Sequence, residues 1–340
     1  MIVQMRVKIK DIAYHLPEQV VTNEDLHKEN TDWDMELVEA RAGVVKRYIT
    51  QKDETALDLA FQACNKLLND HKDFHAAIDA IIFCTQSPDY IIPPNSCLLH
   101  KMLNLPEDVF AFDFTLACSG YIYGLALAQG LIGSKLAKNI LLVNADTYSK
   151  YIHKQDRSAR VLFSDGAAAS WICASDSEDG IIDIQCATSG SGFDKLYIPA
   201  GGCRIPKSDH TADPVVNDNA NAPLLENIHM DGMGILTFVN TKVPQQIRNL
   251  LARNKLTTDQ IDLFIFHQAS KLALDSLTRL LKLDPAKVYQ NLREIGNTVS
   301  ASVPIALKDA LDKGRIAKSN KLILSGFGAG LSWGTALVQI

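Results

Sequence analysis

The feature that most constrains this chain is a repeated order of short strings. Ile78-Asp-Ala-Ile-Ile-Phe-Cys-Thr-Gln-Ser87 is echoed by Ile261-Asp-Leu-Phe-Ile-Phe-His-Gln-Ala-Ser270. Gly166-Ala-Ala-Ala-Ser-Trp171 is echoed by Gly328-Ala-Gly-Leu-Ser-Trp333, and Asn139-Ile-Leu-Leu-Val143, more weakly, by Asn320-Lys-Leu-Ile-Leu324. The first two signatures keep their order in both parts, which points to an internal duplication. Their offsets, 261 − 78 = 183 and 328 − 166 = 162, leave 183 − 162 = 21 extra residues between them in the first half. The polar, acidic break Ala174-Ser-Asp-Ser-Glu-Asp-Gly180 is the natural seam, giving halves 1–174 and 175–340.

Each half alternates strands with amphipathic helices. Leu57, Ala60, Phe61, Cys64, Leu67 and Leu68 predict a helix over Thr55–Leu68, and Val243–Leu256 has the same character. The continuous apolar runs Ala80–Cys84, Ile140–Val143 and Leu263–Phe266 suit strands of a sheet covered on both faces. Met1–Lys10 alternates with period two, as a strand does, and has no signal-peptide pattern. Two similar α/β halves around shared central helices follow. The stretch Gly201–Asn227 has no period and holds Pro206, Pro214 and Pro223; a loop of that length reads as a lid, an interface arm or a disordered segment.

Candidate chemistry gathers at three turns. Cys118 lies in Thr115-Leu-Ala-Cys118-Ser-Gly-Tyr121, between a strand-like run and a helical run of small residues. A thiol at a helix start feels unpaired N–H groups that favour thiolate and that bind an oxyanion on the carbonyl it attacks. His267 and Asn297 each follow a strand and a tight turn. A nucleophile with two polar partners points to acyl transfer through a thioester.

Composition removes other classes. A net charge of −5 argues against nucleic-acid and anionic-membrane binding, and no apolar run approaches a membrane span. The seven cysteines contain no Cys-x-x-Cys pair, so neither a zinc site nor a disulfide framework is indicated; a reduced, cytoplasmic enzyme is the expectation. The glycine loop 326–334 lacks dinucleotide-fingerprint spacing, so no nicotinamide cofactor is expected. A papain-like protease reading fails on the local signature of the Cys.

The chain resembles the thiolase superfamily, and within it most closely the ketoacyl synthase III enzymes. The motifs are Ala117-Cys118-Ser-Gly120, Phe163-Ser-Asp-Gly-Ala167, Ile198-Pro-Ala-Gly-Gly202, His229-Met-Asp-Gly232, Phe266-His-Gln-Ala269, Gly296-Asn-Thr298 and Gly326-Phe-Gly-Ala-Gly-Leu-Ser-Trp-Gly334. The resemblance implies a five-layered α-β-α-β-α fold, a homodimer, and no cofactor or metal. It implies decarboxylative Claisen condensation of an acyl-CoA or acyl-carrier-protein starter with malonyl-carrier protein, as at the start of fatty acid synthesis. Cys118 would carry the acyl group, and His267 and Asn297 would hold the enolate oxygen. The backbone N–H groups of Cys118 and Ala329 would form the second oxyanion hole, with Gly328 beside them. The alternatives are a secondary-metabolite relative making a ketide, quinolone precursor or ester, and a non-catalytic partner subunit, which the intact trio disfavours.

Relatives on this fold are separated by their bases. Thiolases proper carry a second Cys in the C-terminal glycine loop, and 326–334 has none. Hydroxymethylglutaryl-CoA synthases carry a glutamate where this chain has Gln86. The chain also departs from the ketoacyl synthase III pattern around substrate. Arg41 keeps the usual Arg, but Leu37 replaces the Trp four residues before it, and Trp33 is further upstream. Ser270 replaces Asn after the catalytic His, and Leu272 replaces a carrier-docking Arg, leaving Lys271, Arg279 and Lys282 to meet an acidic carrier. Ile92 stands where an aromatic crosses the dimer interface over the acyl pocket, a change that admits longer or branched chains.

Overall fold

The computed structural model describes residues 6–175, 177, 179–212 and 224–340. Ten strands form two five-stranded sheets. The first contains β1 (Arg6–His15), β2 (Ala80–Cys84), β3 (Phe110–Phe114), β4 (Asn139–Asp146) and β5 (Gly166–Ser175), in the order β1-β5-β4-β2-β3. The second contains β6 (Gly180–Thr188), β7 (Leu263–Phe266), β8 (Val288–Tyr289), β9 (Lys321–Gly328) and β10 (Ser332–Gln339), in the order β6-β10-β9-β7-β8. The two orders are the same topology. In each, the last three strands in that order run parallel and the outer hairpin partner runs antiparallel.

Six helices complete the layers: α1 (Ala56–Asp70), α2 (Asn95–Met102), α3 (Gly120–Gly133), α4 (Gly232–Arg253), α5 (Lys271–Leu280) and α6 (Ser302–Asp312). The strands' period of two sorts their side chains. Ile82 and Leu142 point into a central core with Ile122 and Leu125 of α3, Val303 and Leu307 of α6, and Leu322 and Leu324 of the second sheet. Ile81, Phe83, Leu141 and Val143 point outward onto Leu59, Ala63 and Leu67 of α1. Phe264, Phe266 and Ile323 pack likewise on Val243, Ile247, Leu274 and Leu277 of α4 and α5. The result is the five-layered α-β-α-β-α arrangement.

Local signals explain the boundaries. Thr55 and Asp58 form a reciprocal capping box that starts α1 one residue into the predicted span. Helix α4 begins at Gly232, well before Val243, because the Asp231 side chain caps it by accepting the Gly234 N–H. Strands Ala80–Cys84 and Leu263–Phe266 coincide with their apolar runs. Of the three echoes only the first keeps structural register. The pairs Ala80↔Ile140 and Leu263↔Leu322 set an offset of 322 − 140 = 182 for β4 and β9, one more than the Asn139/Asn320 echo. The Gly166/Gly328 echo equates the start of a strand with the end of β9 and the turn that follows it. Small residues serve different needs there: the first string packs within β5, and the second brings backbone close to Cys118.

The segment 213–223 of the expected lid or arm, Met1–Met5 of the expected first strand, and Asp176 and Glu178 of the expected seam lie outside the described residues. On the flanks of the first of these, the Ala200 N–H donates to Leu225, and the Asn227 amide and Ile228 N–H both donate to the Tyr151 carbonyl.

Candidate active site

The chemistry sits at the C-terminal ends of the parallel strands. Cys118 lies between β3 and α3; His267 follows β7; Asn297 lies between β8 and α6. The Cys118 and Asn297 turns occupy equivalent places in the two topologies. By the 183-residue offset, His267 is the counterpart of Cys84.

Glycines bring the second half onto the nucleophile. A Cβ on Gly328 would lie 2.9 Å from both Cβ and Sγ of Cys118, and one on Gly326 would lie 2.5 Å from the Cys118 carbonyl oxygen. Backbone approach this close needs residues without side chains. Ser332 Oγ gives its hydrogen to the Ala329 carbonyl at 2.7 Å, so the 2.7 Å contact between Ser119 and Ser332 is a donation from Ser119. This hydroxyl chain ties Ser119, next to Cys118, to Ala329; Cys118 and Ala329 are the two predicted sources of backbone N–H donors. Cys118, Ala329, Tyr148, Phe163, Leu196, Ile228 and Val299 share one apolar cluster.

Cys118 is 3% exposed, and burial pushes its thiol well above the ordinary range, with Asp146 adding to the rise. Its own N–H works the other way. Desolvation therefore works against the resting thiolate expected from the helix start.

Burial also holds His267 down to about 3, so its imidazole is neutral at physiological pH. The orientation of the ring is set by its neighbour. Ser302 Oγ accepts the Gln268 N–H at 3.3 Å and lies 2.6 Å from His267 Nδ1. The Ser302 contact occupies Nδ1 and leaves Nε2 to face a ligand. Asn297 is oriented in the same manner. Its Oδ1 accepts the Val299 N–H at 3.0 Å, which turns the NH2 group toward the Ala269 carbonyl (3.4 Å) and leaves a second hydrogen for a ligand. Asn297 is further tied by backbone bonds to Leu162 and Ser164, on either side of Phe163. The site thus holds a buried thiol and two buried polar side chains, with the Asn297 amide reaching the carbonyl of Ala269, two residues after His267.

The predicted rim is partly assembled. Arg41 is exposed at the end of the helix Met35–Ala42, which packs beside α5. A Cβ on Gly43, at φ +78°, would meet Lys271 Cβ at 2.5 Å, so Arg41 and Lys271 share one edge. Lys271 pairs with Asp275, while Ser270 caps α5 by accepting the Ala273 N–H. Trp33 is buried among Leu26, Val38 and Ala42, and Leu37 is 41% exposed. Ile92 is not brought into the Cys118 cluster; it and Ile91 are 83% and 95% exposed. The sequence reading missed Ser302 and Asp146, and it quoted Phe163, Ser119 and Ser332 within motifs without giving them a role. Their roles depend on contacts between segments far apart in the chain, which no local period encodes. Among the described residues no group of three or more His, Cys, Asp or Glu could hold a metal ion, and no helix is long and apolar enough to cross a membrane.

Two family models match the chain: 3-oxoacyl-[acyl-carrier-protein (ACP)] synthase III over residues 112–190, and its C-terminal part over residues 251–340. A β-ketoacyl-[acyl-carrier-protein] synthase III of Caldanaerobacter subterraneus subsp. tengcongensis is 36% identical over 325 residues, 96% of this chain and 95% of that one. A crystal structure of a 3-oxoacyl-(acyl-carrier-protein) synthase III superposes with a TM-score of 0.96 at 39% identity, covering 98% of this chain and all of that one. The priming β-ketosynthase of the R1128 polyketide pathway superposes with a TM-score of 0.86 at 25% identity, covering 100% of this chain and 98% of that one.

Proposed function

Since the chain belongs to the 3-oxoacyl-[acyl-carrier-protein] synthase III family, we propose that its condensation runs through Cys118, with His267 and Asn297 as donors to the enolate oxygen. The protein is a condensing acyltransferase that joins an acyl starter to a malonyl thioester, the reaction that initiates fatty acid synthesis. In the first stage Cys118 Sγ bonds to the acyl carbon, the carrier C–S bond breaks, and the Cys118 proton passes to the departing thiolate. A protonated resting thiol suits this exchange, because the leaving sulfur takes the proton. In the second stage the bond between the malonyl carboxylate and its α-carbon breaks, CO2 departs, and the electron pair remains as an enolate. His267 Nε2–H and Asn297 Nδ2–H hold the enolate oxygen. The enolate carbon bonds to the acyl carbon, the acyl C–S bond to Cys118 breaks, and the Cys118 thiolate takes a proton from solvent. The N–H groups of Cys118 and Ala329 hold the oxyanion of that step.

The observation that supports this reading is a pair of pinned side chains: Ser302 holds His267 Nδ1 and the Val299 N–H holds Asn297 Oδ1, which leaves His267 Nε2 and the Asn297 NH2 group for the enolate oxygen. Arg41, Ser270 and Lys271 form the rim that receives the carrier arm of the starter and of malonyl-carrier protein. We further propose a homodimer. The edge strand β3 and the exposed Tyr90-Ile91-Ile92 knuckle supply an unpaired edge and an apolar surface for a second copy, with Ile92 reaching the partner's acyl pocket. Seven free cysteines support a reducing, cytoplasmic setting.

The test is intact-mass analysis after incubation with a panel of acyl-CoAs and acyl-carrier proteins, with Cys118→Ala in parallel. The expected result is an acyl-sized gain that is lost in the variant, the preferred donor identifying the starter. An adduct that survives in Cys118→Ala overturns the assignment.

A further inference from the structure

Asp146 ends β4 in the first half, is fully buried, and has no part in the two half-reactions above. Its carboxylate joins three segments. Oδ1 accepts the Gln86 N–H at 2.8 Å and faces Thr85 Oγ1 at 3.5 Å, in the turn after β2. Oδ2 accepts the Ser300 N–H at 3.2 Å and the Ser300 Oγ–H at 2.5 Å, in the turn before α6. One carboxylate therefore crosses from the half that carries the nucleophile to the half that carries the donors.

What it holds there is an unfavourable backbone. Val299, one residue before Ser300, has φ +52°, a left-handed conformation that a β-branched residue avoids. Such residues cost about 1–3 kcal/mol and persist only where surrounding bonds over-determine them. The Val299 N–H is also the group that orients the Asn297 amide. Release of Ser300 would let Val299 relax to negative φ, swinging its N–H away from Oδ1 and freeing the Asn297 side chain to rotate.

We propose that Asp146 is a positioning residue for condensation: by gripping Ser300 it keeps Val299 left-handed and so aims the Asn297 N–H at the enolate oxygen. The grip needs both carboxylate oxygens. Two main-chain N–H donors approach opposite oxygens, and an asparagine has only one acceptor to offer, so Asp146→Asn leaves Gln86 or Ser300 facing an NH2 group. The same substitution removes negative charge that opposes thiolate formation at Cys118. The two half-reactions should then separate, decarboxylation slowing while acylation does not.

This inference rests on the proposed roles of Cys118 and Asn297. The experiment measures two rates in wild type, Asp146→Asn and Ser300→Ala: acyl adduct formation by intact mass, and CO2 release from a malonyl thioester by the pre-acylated protein. Failure of wild type to acylate at Cys118 is a failure of the functional reading, and is seen before any variant is compared. With wild type active, Asp146→Asn is expected to lower the ratio of CO2 release to acylation by about tenfold, less than the 10²–10³ seen on deleting an oxyanion donor. The KM for the malonyl thioester should hold within about twofold, because aim and not binding is lost. Ser300→Ala, which removes only the hydroxyl, should shift the ratio in the same direction, and decides the matter if Asp146→Asn does not fold. A ratio unmoved beyond about threefold in the folded variants, meaning that both half-reactions fall together or neither falls, overturns the proposal.

Discussion

Gly328→Ala adds a single methyl group, and the structure says where it goes: 2.9 Å from both Cβ and Sγ of Cys118. Carbon contacts are comfortable at ~3.5–4.0 Å, so relief requires movement of roughly 0.6–1 Å. Gly328 is not among the residues at positive φ, so the substitution carries space and no backbone penalty. Overpacking of this kind costs about 1–3 kcal/mol. A nucleophile displaced by ~1 Å loses roughly a hundredfold in rate. We therefore expect Gly328→Ala to lower the denaturant midpoint modestly and to slow acyl-adduct formation by about 10²-fold. Intact-mass time courses give the rate and urea unfolding gives the stability. The same substitution in a Cys118→Gly background, where both contacted atoms are gone, should cost almost no stability, and the difference is the coupling energy of the contact. Adduct formation at the wild-type rate, or an equal stability cost without the Cys118 side chain, would refute the packing argument.

The donors should act selectively: His267→Ala and Asn297→Ala are each expected to keep the Cys118 adduct while lowering condensation about 10²–10³-fold, measured by product release from pre-acylated protein. Ser302→Ala should lower condensation roughly tenfold or more with its acylation intact, since a buried Nδ1 left unpaired costs ~1–3 kcal/mol and the ring loses the contact that orients it. The dependence of stability on pH should shift in opposite senses when one or the other of two opposed groups is removed. His267 is held at about 3, below its usual 6.5, so its stability contribution is full above pH ~6.5 and lost as pH falls toward 3. Asp146 is raised by burial to about 7, so its contribution is full below pH ~4 and lost as pH rises through 7. Between pH ~4 and ~6.5 the two nearly cancel. His267→Ala should therefore leave stability falling by about 1.4 kcal/mol per pH unit relative to wild type across that window, and Asp146→Asn should leave it rising by a similar amount. Urea midpoints at three pH values measure both slopes, and parallel curves for all three proteins would contradict the assignment.

The layer order and the main strands were legible because burial on both faces writes continuous apolar runs, and because α1 carries its cap in sequence as Thr55 and Asp58. The positions of Cys118, His267 and Asn297 at strand ends were legible for the same reason: each follows a readable strand or turn. Their electrostatics were not. A helix start argued for a thiolate at Cys118, yet desolvation depends on how much protein covers the thiol, and that cover comes from Gly326 and Gly328, over 200 residues away. The duplication was correctly inferred from an echo that holds register, joined to two that slip by one and by four residues. Strings of Gly, Ala and Leu recur easily, and only backbone pairing distinguishes a strand interior from a turn. Ser302 and Asp146 gave no signal, since a serine in a helix and an aspartate at a strand end are ordinary in isolation.

Helix α3, Gly120–Gly133, has no charged residue and lies between the two sheets. Its Gly124 sits so close to Leu142 that a Cβ there would approach within 2.6 Å. On the ribosome this segment is made before any strand of the second sheet exists. Until synthesis has passed Val338, one side of the helix rests on its own sheet and the other lacks its cover from the second. The first half is therefore not a domain that can be left waiting. Its solubility is borrowed from a sequence still to come, and a chain interrupted between the halves would present the nascent protein's stickiest surface to whatever chaperone or neighbour reached it first.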